Sequence, residues 1–106
     1  MSASLYNPPD HFLVDELYND EHKIVRQAAR DWVDRAIKPI IEECYEKAVF
    51  PLHLVKEMGD NGLFGPFIPV EYGGAGLDHI SYGLIMQELE RGDSGVRSMA
   101  SVQTSL

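Results

Sequence analysis

One cysteine, one tryptophan and nine basic residues are what this 106-residue sequence holds sparingly. With Cys44 alone, no internal disulfide can form, which suits a reducing compartment. Cys44 falls on an apolar helical position with no activating base nearby in sequence. It reads as a small packed side chain rather than a nucleophile. Nine Lys and Arg stand against 17 Asp and Glu, a net charge of −8. That balance argues against nucleic acid or an anionic membrane as the main partner. No apolar run approaches the roughly 18 residues of a membrane span. The opening MSASLYNPPD has no basic stretch followed by an apolar one, and the first arginine is Arg26. Secretory and Arg-rich transit signals are therefore missing. The expected location is the bacterial cytoplasm, or the mitochondrial matrix for a processed eukaryotic form.

What is present is an ordinary globular composition, 44% apolar and 25% charged, enough for one small domain with a modest core. Residues 1–10 read as a loose lead-in, with Pro8-Pro9 excluding helix. HFLVDELY, residues 11–18, is apolar enough to dock as a short helical turn. Asn19 or Asp20 caps a long helix. Ile24, Val25, Ala28, Ala29, Trp32, Val33, Ala36, Ile37, Ile40, Ile41 and Cys44 step by three and four along one face, the spacing of an amphipathic helix. Pro39 should kink it. Pro51 opens a second helix whose buried face is Leu52, Leu54, Val55 and Met58, stopped at Asn61-Gly62. Residues 62–78 carry five glycines and two prolines and must be a loop, pinned to the core by Phe64, Phe67 and Ile68. Asp78 caps a third helix to about Arg91, with Ile80, Leu84, Ile85 and Leu89 inward. Asp93 or Ser94 caps a fourth, containing Val96, Met99, Ala100 and Val102. That helix reaches Leu106 without a stop signal, leaving its last carbonyls unsatisfied. The expectation is the front part of a longer all-α domain of four to five helices.

Little in this sequence announces chemistry. His11, His22, His53 and His79 form no i, i+4 pair and no HExxH pattern, so a metal site is not expected. Gly73-Gly74-Ala75-Gly76 lacks a preceding strand, a GK[ST] tail and GxGxxG spacing; it reads as turn chemistry rather than a phosphate loop. Ser81, Ser94, Ser98 and Ser101 lack a nucleophile elbow or SxxK spacing. Trp32 belongs to the core stripe. Glu88 and Glu90 point to different faces of one helix and are not a paired acid and base. Arg97 stands apart. It falls in the first helical turn after Asp93, a place where positive charge opposes the helix dipole. Beside free backbone N–H groups, a five-donor guanidinium makes a receptor for a carboxylate. Gly92 and Gly95 would let a ligand approach. The competing reading is a solvated ion pair of Arg97 with Glu90 or Asp93, and the residues alone favour it.

A resemblance reverses that order. IPVEYGGAGLD, residues 68–78, and DEHKIVRQAARDWVDRAIKPI, residues 20–40, resemble the amino-terminal helical domain of the acyl-CoA dehydrogenase family. ELERGDSGVRSMASVQTSL, residues 88–106, looks most like the glutaryl-CoA dehydrogenase branch. The likeness spans nearly the whole chain, residues 1–106. Gly92 and Val96 depart from the pattern, which leads one to expect a larger apolar residue at 92 and an aromatic one at 96.

The resemblance implies an FAD-dependent oxidoreductase, with a middle β-domain and a carboxy-terminal helical domain beyond this segment. FAD is then bound mainly by those other regions, and the catalytic base is a glutamate beyond residue 106. This segment alone is expected to be inactive. The implied reaction removes the α-proton of glutaryl-CoA, passes a β-hydride to FAD, and loses CO2 to leave crotonyl-CoA. Electron-transfer flavoprotein is the implied electron acceptor, a homotetramer the implied assembly, and lysine and tryptophan degradation the implied pathway. By motif position, Arg97 matches the arginine that holds the distal carboxylate and Ser98 a substrate-contacting serine. Glu90 matches the acid that orients the arginine, and Ser101 is a weaker substrate-binding candidate. A monocarboxylic short-chain acyl-CoA dehydrogenase is the first alternative, with Arg97 then a structural ion pair. A stand-alone helical interaction module is the second.

Overall fold

The computed structural model describes residues 9–105. The lead-in expected at residues 1–8 and the chain end at Leu106 lie outside the described residues. Five α-helices follow one another: α1 (Asp20–Trp32), α2 (Ile41–Glu46), α3 (His53–Asp60), α4 (His79–Gly92) and α5 (Ser94–Ser105). The described residues contain no strand, so the fold is all-α. α4 is the centre of the packing, touching α1 on one side and α5 on the other.

α1 starts where the sequence places it. The Asn19 side chain accepts from the His22 backbone N–H at 2.8 Å, and His22 Nδ1 accepts from the Asn19 N–H at 3.3 Å. This is a reciprocal capping box, with histidine in the place usually held by glutamate or glutamine. The long helix does not merely kink at Pro39. Its last turn, Val33–Ile37, widens to a π-helix, and Lys38 N–H bonds Val33 O five residues back. Proline has no N–H and its ring crowds the carbonyl four residues before it. The α-register therefore breaks and resumes at Ile41 as α2.

The core joins Ala29, Trp32, Val33 and Ile37 to Leu54, Met58 and Leu63, and to Ile85, Leu89, Val96 and Ala100. Three positions expected on buried faces, Ile24, Leu52 and Ile80, are exposed. Each sits at the edge of its apolar stripe, beyond the reach of the neighbouring helix. Val14–Leu17 does form a helical turn, but none of it is buried. It is tied down by charge: Arg26 donates to both Asp15 oxygens at 2.7 and 2.9 Å.

Two glycines are dictated by close approach. A Cβ on Gly92 would stand 2.6 Å from Val33 Cγ1, so the α4 end can lie against the π turn only without a side chain. Val96 is fully buried in the same cluster. Both departures from the family pattern thus accompany tight packing of α4 and α5 on the π turn. In the loop, a Cβ on Gly74 would meet the Ile68 carbonyl oxygen at 2.0 Å.

Candidate functional site

α4 ends at Gly92 and Asp93 is extended, with φ −168° and ψ 128°. Asp93 then caps α5, its Oδ2 accepting from the Val96 N–H at 2.9 Å. This break brings Arg97 back beside Glu90. Arg97 Nε donates to Glu90 Oε2 at 2.9 Å, and Ser94 Oγ donates to Glu90 Oε1 at 2.9 Å. Arg97 Nη1 reaches Ser101 Oγ at 3.3 Å, and Ser101 Oγ donates to the Ser98 carbonyl at 3.2 Å. All four expected site residues, Glu90, Arg97, Ser98 and Ser101, therefore lie in one cluster. The Glu90 carboxyl sits below its ordinary value because of the hydrogen bond from Arg97, then that from Ser94. It is a carboxylate at neutral pH.

Arg97 keeps 34% of its side chain exposed. It stands at one end of an open groove of ≈ 630 Å³. Ile80, Gly83, Gln87 and Glu90 line that groove, spaced three or four apart on one face of α4. The exposure of Ile80 is thereby given a place: it makes an apolar wall at the end away from Arg97. A Cβ on Gly83 would meet nothing within 4 Å, so the middle of the groove is shallow and open. Chemically this is an apolar channel ending at a guanidinium whose charge one carboxylate already balances.

Two further charged sites were not foreseen from the sequence. Glu88 is 3% exposed. It accepts from Arg30 Nε and Nη2 at 2.9 and 3.0 Å and from Arg91 Nε at 3.0 Å. Burial pushes its carboxyl up, but those hydrogen bonds outweigh burial and leave it below the ordinary glutamate value. The available signal was an acid inside an apolar stripe, between Ile85 and Leu89, facing a helix that carries Arg30. The second site is the buried His22, whose Nε2 lies 2.6 Å from Asp78 Oδ2. Because Nδ1 accepts from Asn19, Nε2 is assigned the proton and donates to Asp78. Asp78 also caps α4, accepting from the Ser81 N–H at 2.8 Å. The first of these bonds, then the second, lowers its pKa to about 2. One histidine thus staples the starts of α1 and α4.

His53 and His79 are exposed residues at helix starts. Among the described residues, no group of three or more His, Cys, Asp or Glu could hold a metal ion. No helix there is long and apolar enough to cross a membrane. The glycine run closes on itself: Gly73, Gly74 and Gly76 N–H groups donate to the Val70, Pro69 and Ile68 carbonyls. They offer nothing to a phosphate.

The sequence matches the profile described as acyl-CoA dehydrogenase, N-terminal domain, over residues 19–106. A 3-(aryl)acrylate reductase of Clostridium sporogenes is 44% identical over 79 residues, which cover 74% of this chain and 21% of that protein. The human mitochondrial short-chain specific acyl-CoA dehydrogenase is 36% identical over 87 residues, covering 82% of this chain and 21% of that one. Among solved structures, a glutaryl-CoA dehydrogenase from Mycobacterium smegmatis, in complex with FADH2, superposes with a TM-score of 0.87 at 42% identity. That superposition covers 95% of this chain and 26% of the other. The chain thus spans about a fifth to a quarter of the length of these relatives. With its helical architecture and its match from Asn19 onward, the chain belongs to the acyl-CoA dehydrogenase family, as an N-terminal domain of that fold.

Proposed function

We propose that this chain is the acyl-end part of an FAD-dependent dehydrogenase acting on glutaryl-CoA. In this reading the γ-carboxylate of the substrate docks on Arg97, with Ser98 beside it and Glu90 behind. The observation that carries it is the partly exposed Arg97 guanidinium at the end of an open groove, oriented by Glu90 at 2.9 Å. A carboxylate leaving water needs such a cation, since an isolated buried charge is very costly. The arginine fork supplies paired donors for it. The likeness to glutaryl-CoA dehydrogenase at 42% identity supports the same choice. Oxidative decarboxylation to crotonyl-CoA, transfer to electron-transfer flavoprotein and a homotetrameric assembly belong to the same proposal for the complete enzyme.

The described residues do not fit a flavin. The N-termini of α4 and α5 are capped by Asp78 and Asp93 carboxylates, which repel a pyrophosphate, and the glycine-run amides are internally bonded. FAD and the catalytic base are therefore assigned to regions beyond this chain, and the isolated segment is expected to be inactive.

In the full-length enzyme, Arg97→Ala should lower kcat/KM for glutaryl-CoA by about 2–5 kcal/mol of transition-state binding. Turnover of butyryl-CoA should be unaffected. Equal kinetics of the variant and the parent on glutaryl-CoA would sink the reading. A parent enzyme that turns over only butyryl-CoA would instead favour the short-chain alternative. The relatedness to short-chain specific acyl-CoA dehydrogenase at 36% identity keeps that alternative specific.

A further inference from the structure

We infer that Ser94 is a positioning residue for the carboxylate receptor: its hydroxyl fixes Glu90 so that Glu90 holds only the Nε side of Arg97 and leaves the Nη1/Nη2 end for the ligand. This rests on the proposal that Arg97 receives the substrate's distal carboxylate. The geometry is a relay of three side chains. Ser94 Oγ donates to Glu90 Oε1, and Glu90 Oε2 accepts from Arg97 Nε, both at 2.9 Å. Each carboxylate oxygen therefore has one partner.

The division of oxygens decides what the guanidinium offers. Arg30 shows the alternative within the same chain: its Nε and Nη2 grip both oxygens of Glu88 side-on. A Glu90 released by Ser94 could rotate into the same bidentate grip on Arg97. It would then occupy Nε and Nη2 together and break up the Nη1/Nη2 pair. Nothing else restrains Glu90 strongly. Its side chain is about half exposed, and exposed ion pairs hold their geometry weakly unless a further contact pins them. Ser94 is placed for this by the helix break, since the extended Asp93 sets the first residue of α5 beside the last turn of α4. On the far side, the contact from Nη1 to Ser101 Oγ is longer, at 3.3 Å. A ligand carboxylate can therefore take the Nη end with modest rearrangement.

Ser94→Ala, Ser94→Thr and Arg97→Ala in the full-length holoenzyme test this, with glutaryl-CoA and butyryl-CoA as paired substrates. Loss of one hydroxyl restraint on a charged pair should raise KM for glutaryl-CoA about 3- to 10-fold. The kcat and the butyryl-CoA kinetics should hold, and Ser94→Thr should restore the parent KM. A carboxyl-carbon NMR titration of Glu90 should move toward the ordinary glutamate value in Ser94→Ala. Equal changes on both substrates would mean a structural role for Ser94, and no change on either would mean none; both overturn the inference. If Arg97→Ala discriminates the substrates and Ser94→Ala does not, this inference alone falls. If Arg97→Ala does not discriminate, the receptor reading falls and takes Ser94's role with it.

Discussion

Arg30 and Glu88, 58 residues apart in sequence, meet in a two-bond pair at 2.9 and 3.0 Å across the α1–α4 interface. Arg91 adds a third donor to the same carboxylate at 3.0 Å and extends to Asp34 at 3.1 Å. The pair sets the rotation of α4, and hence the face that carries Glu90.

Removing the buried acid should be costly. Glu88→Ala leaves Arg30 and Arg91 facing each other without a counter-charge. Because Arg30 remains 33% exposed, the penalty should fall toward the low end for a broken buried pair, about 3 kcal/mol. Urea denaturation of the full-length protein should show a matching drop in midpoint at unchanged slope.

The Asp78–His22 pair predicts an acid-side dependence. Asp78 has its folded pKa lowered from 3.8 to about 2. Between those values the unfolded chain binds more protons than the folded one, so stability rises with pH there. The contribution is present above the unfolded value and is lost as pH falls toward about 2. Asp78→Asn keeps a capping side chain but removes the titration. Thermal midpoints measured across that window should be flatter for the variant than for the parent. Identical slopes would show that Asp78 does not couple protonation to folding.

Gly92→Ala should destabilise although alanine is the better helix former. The added Cβ would stand 2.6 Å from Val33 Cγ1. Overpacking of that kind costs about 1–3 kcal/mol, against a helix-propensity gain of about 1 kcal/mol. Val33→Ala removes the colliding methyl. The double variant should therefore be more stable than the sum of the two single changes. Strict additivity in urea titrations would show that Gly92 and Val33 do not meet.

Trp32 offers an internal reporter. It is the sole tryptophan and is buried. Its emission should be blue-shifted from that of the free amino acid and resistant to iodide in the native protein. It should then shift red in one step with the loss of helical circular dichroism. Iodide quenching at the rate of free tryptophan would contradict its place in the core.

Much of this fold is legible in the order of the amino acids. Asn19, Asp78 and Asp93 announce three helix starts, and local hydrogen bonding is enough to make them. Asn61-Gly62 announces a stop, and Gly62 takes φ 71° there. Stripes at three- and four-residue spacing name most of the core, because a helix turns at a fixed rate. Their edges are not legible in the same way, as Ile24, Leu52 and Ile80 show, since only a neighbouring helix decides how wide a stripe is covered.

The cluster of Glu90, Arg97, Ser98 and Ser101 is marked by its motif and by the oddity of an arginine in a first turn. Which bonds its members make is not readable there. The competing expectation of an Arg97–Glu90 ion pair is realised at 2.9 Å, and it is also the arrangement by which Glu90 orients Arg97. Glu88 and His22 stay hidden because their partners, Arg30 and Asp78, lie 58 and 56 residues away. Short-range geometry is enough for the helix starts, the stripes and the break at Asp93, so residue order dictates them. Packing settles the rest: which charges are buried in pairs, why position 92 must be glycine, and which side of the Arg97 guanidinium is already held. Those depend on distances between segments that the chain brings together only when it folds.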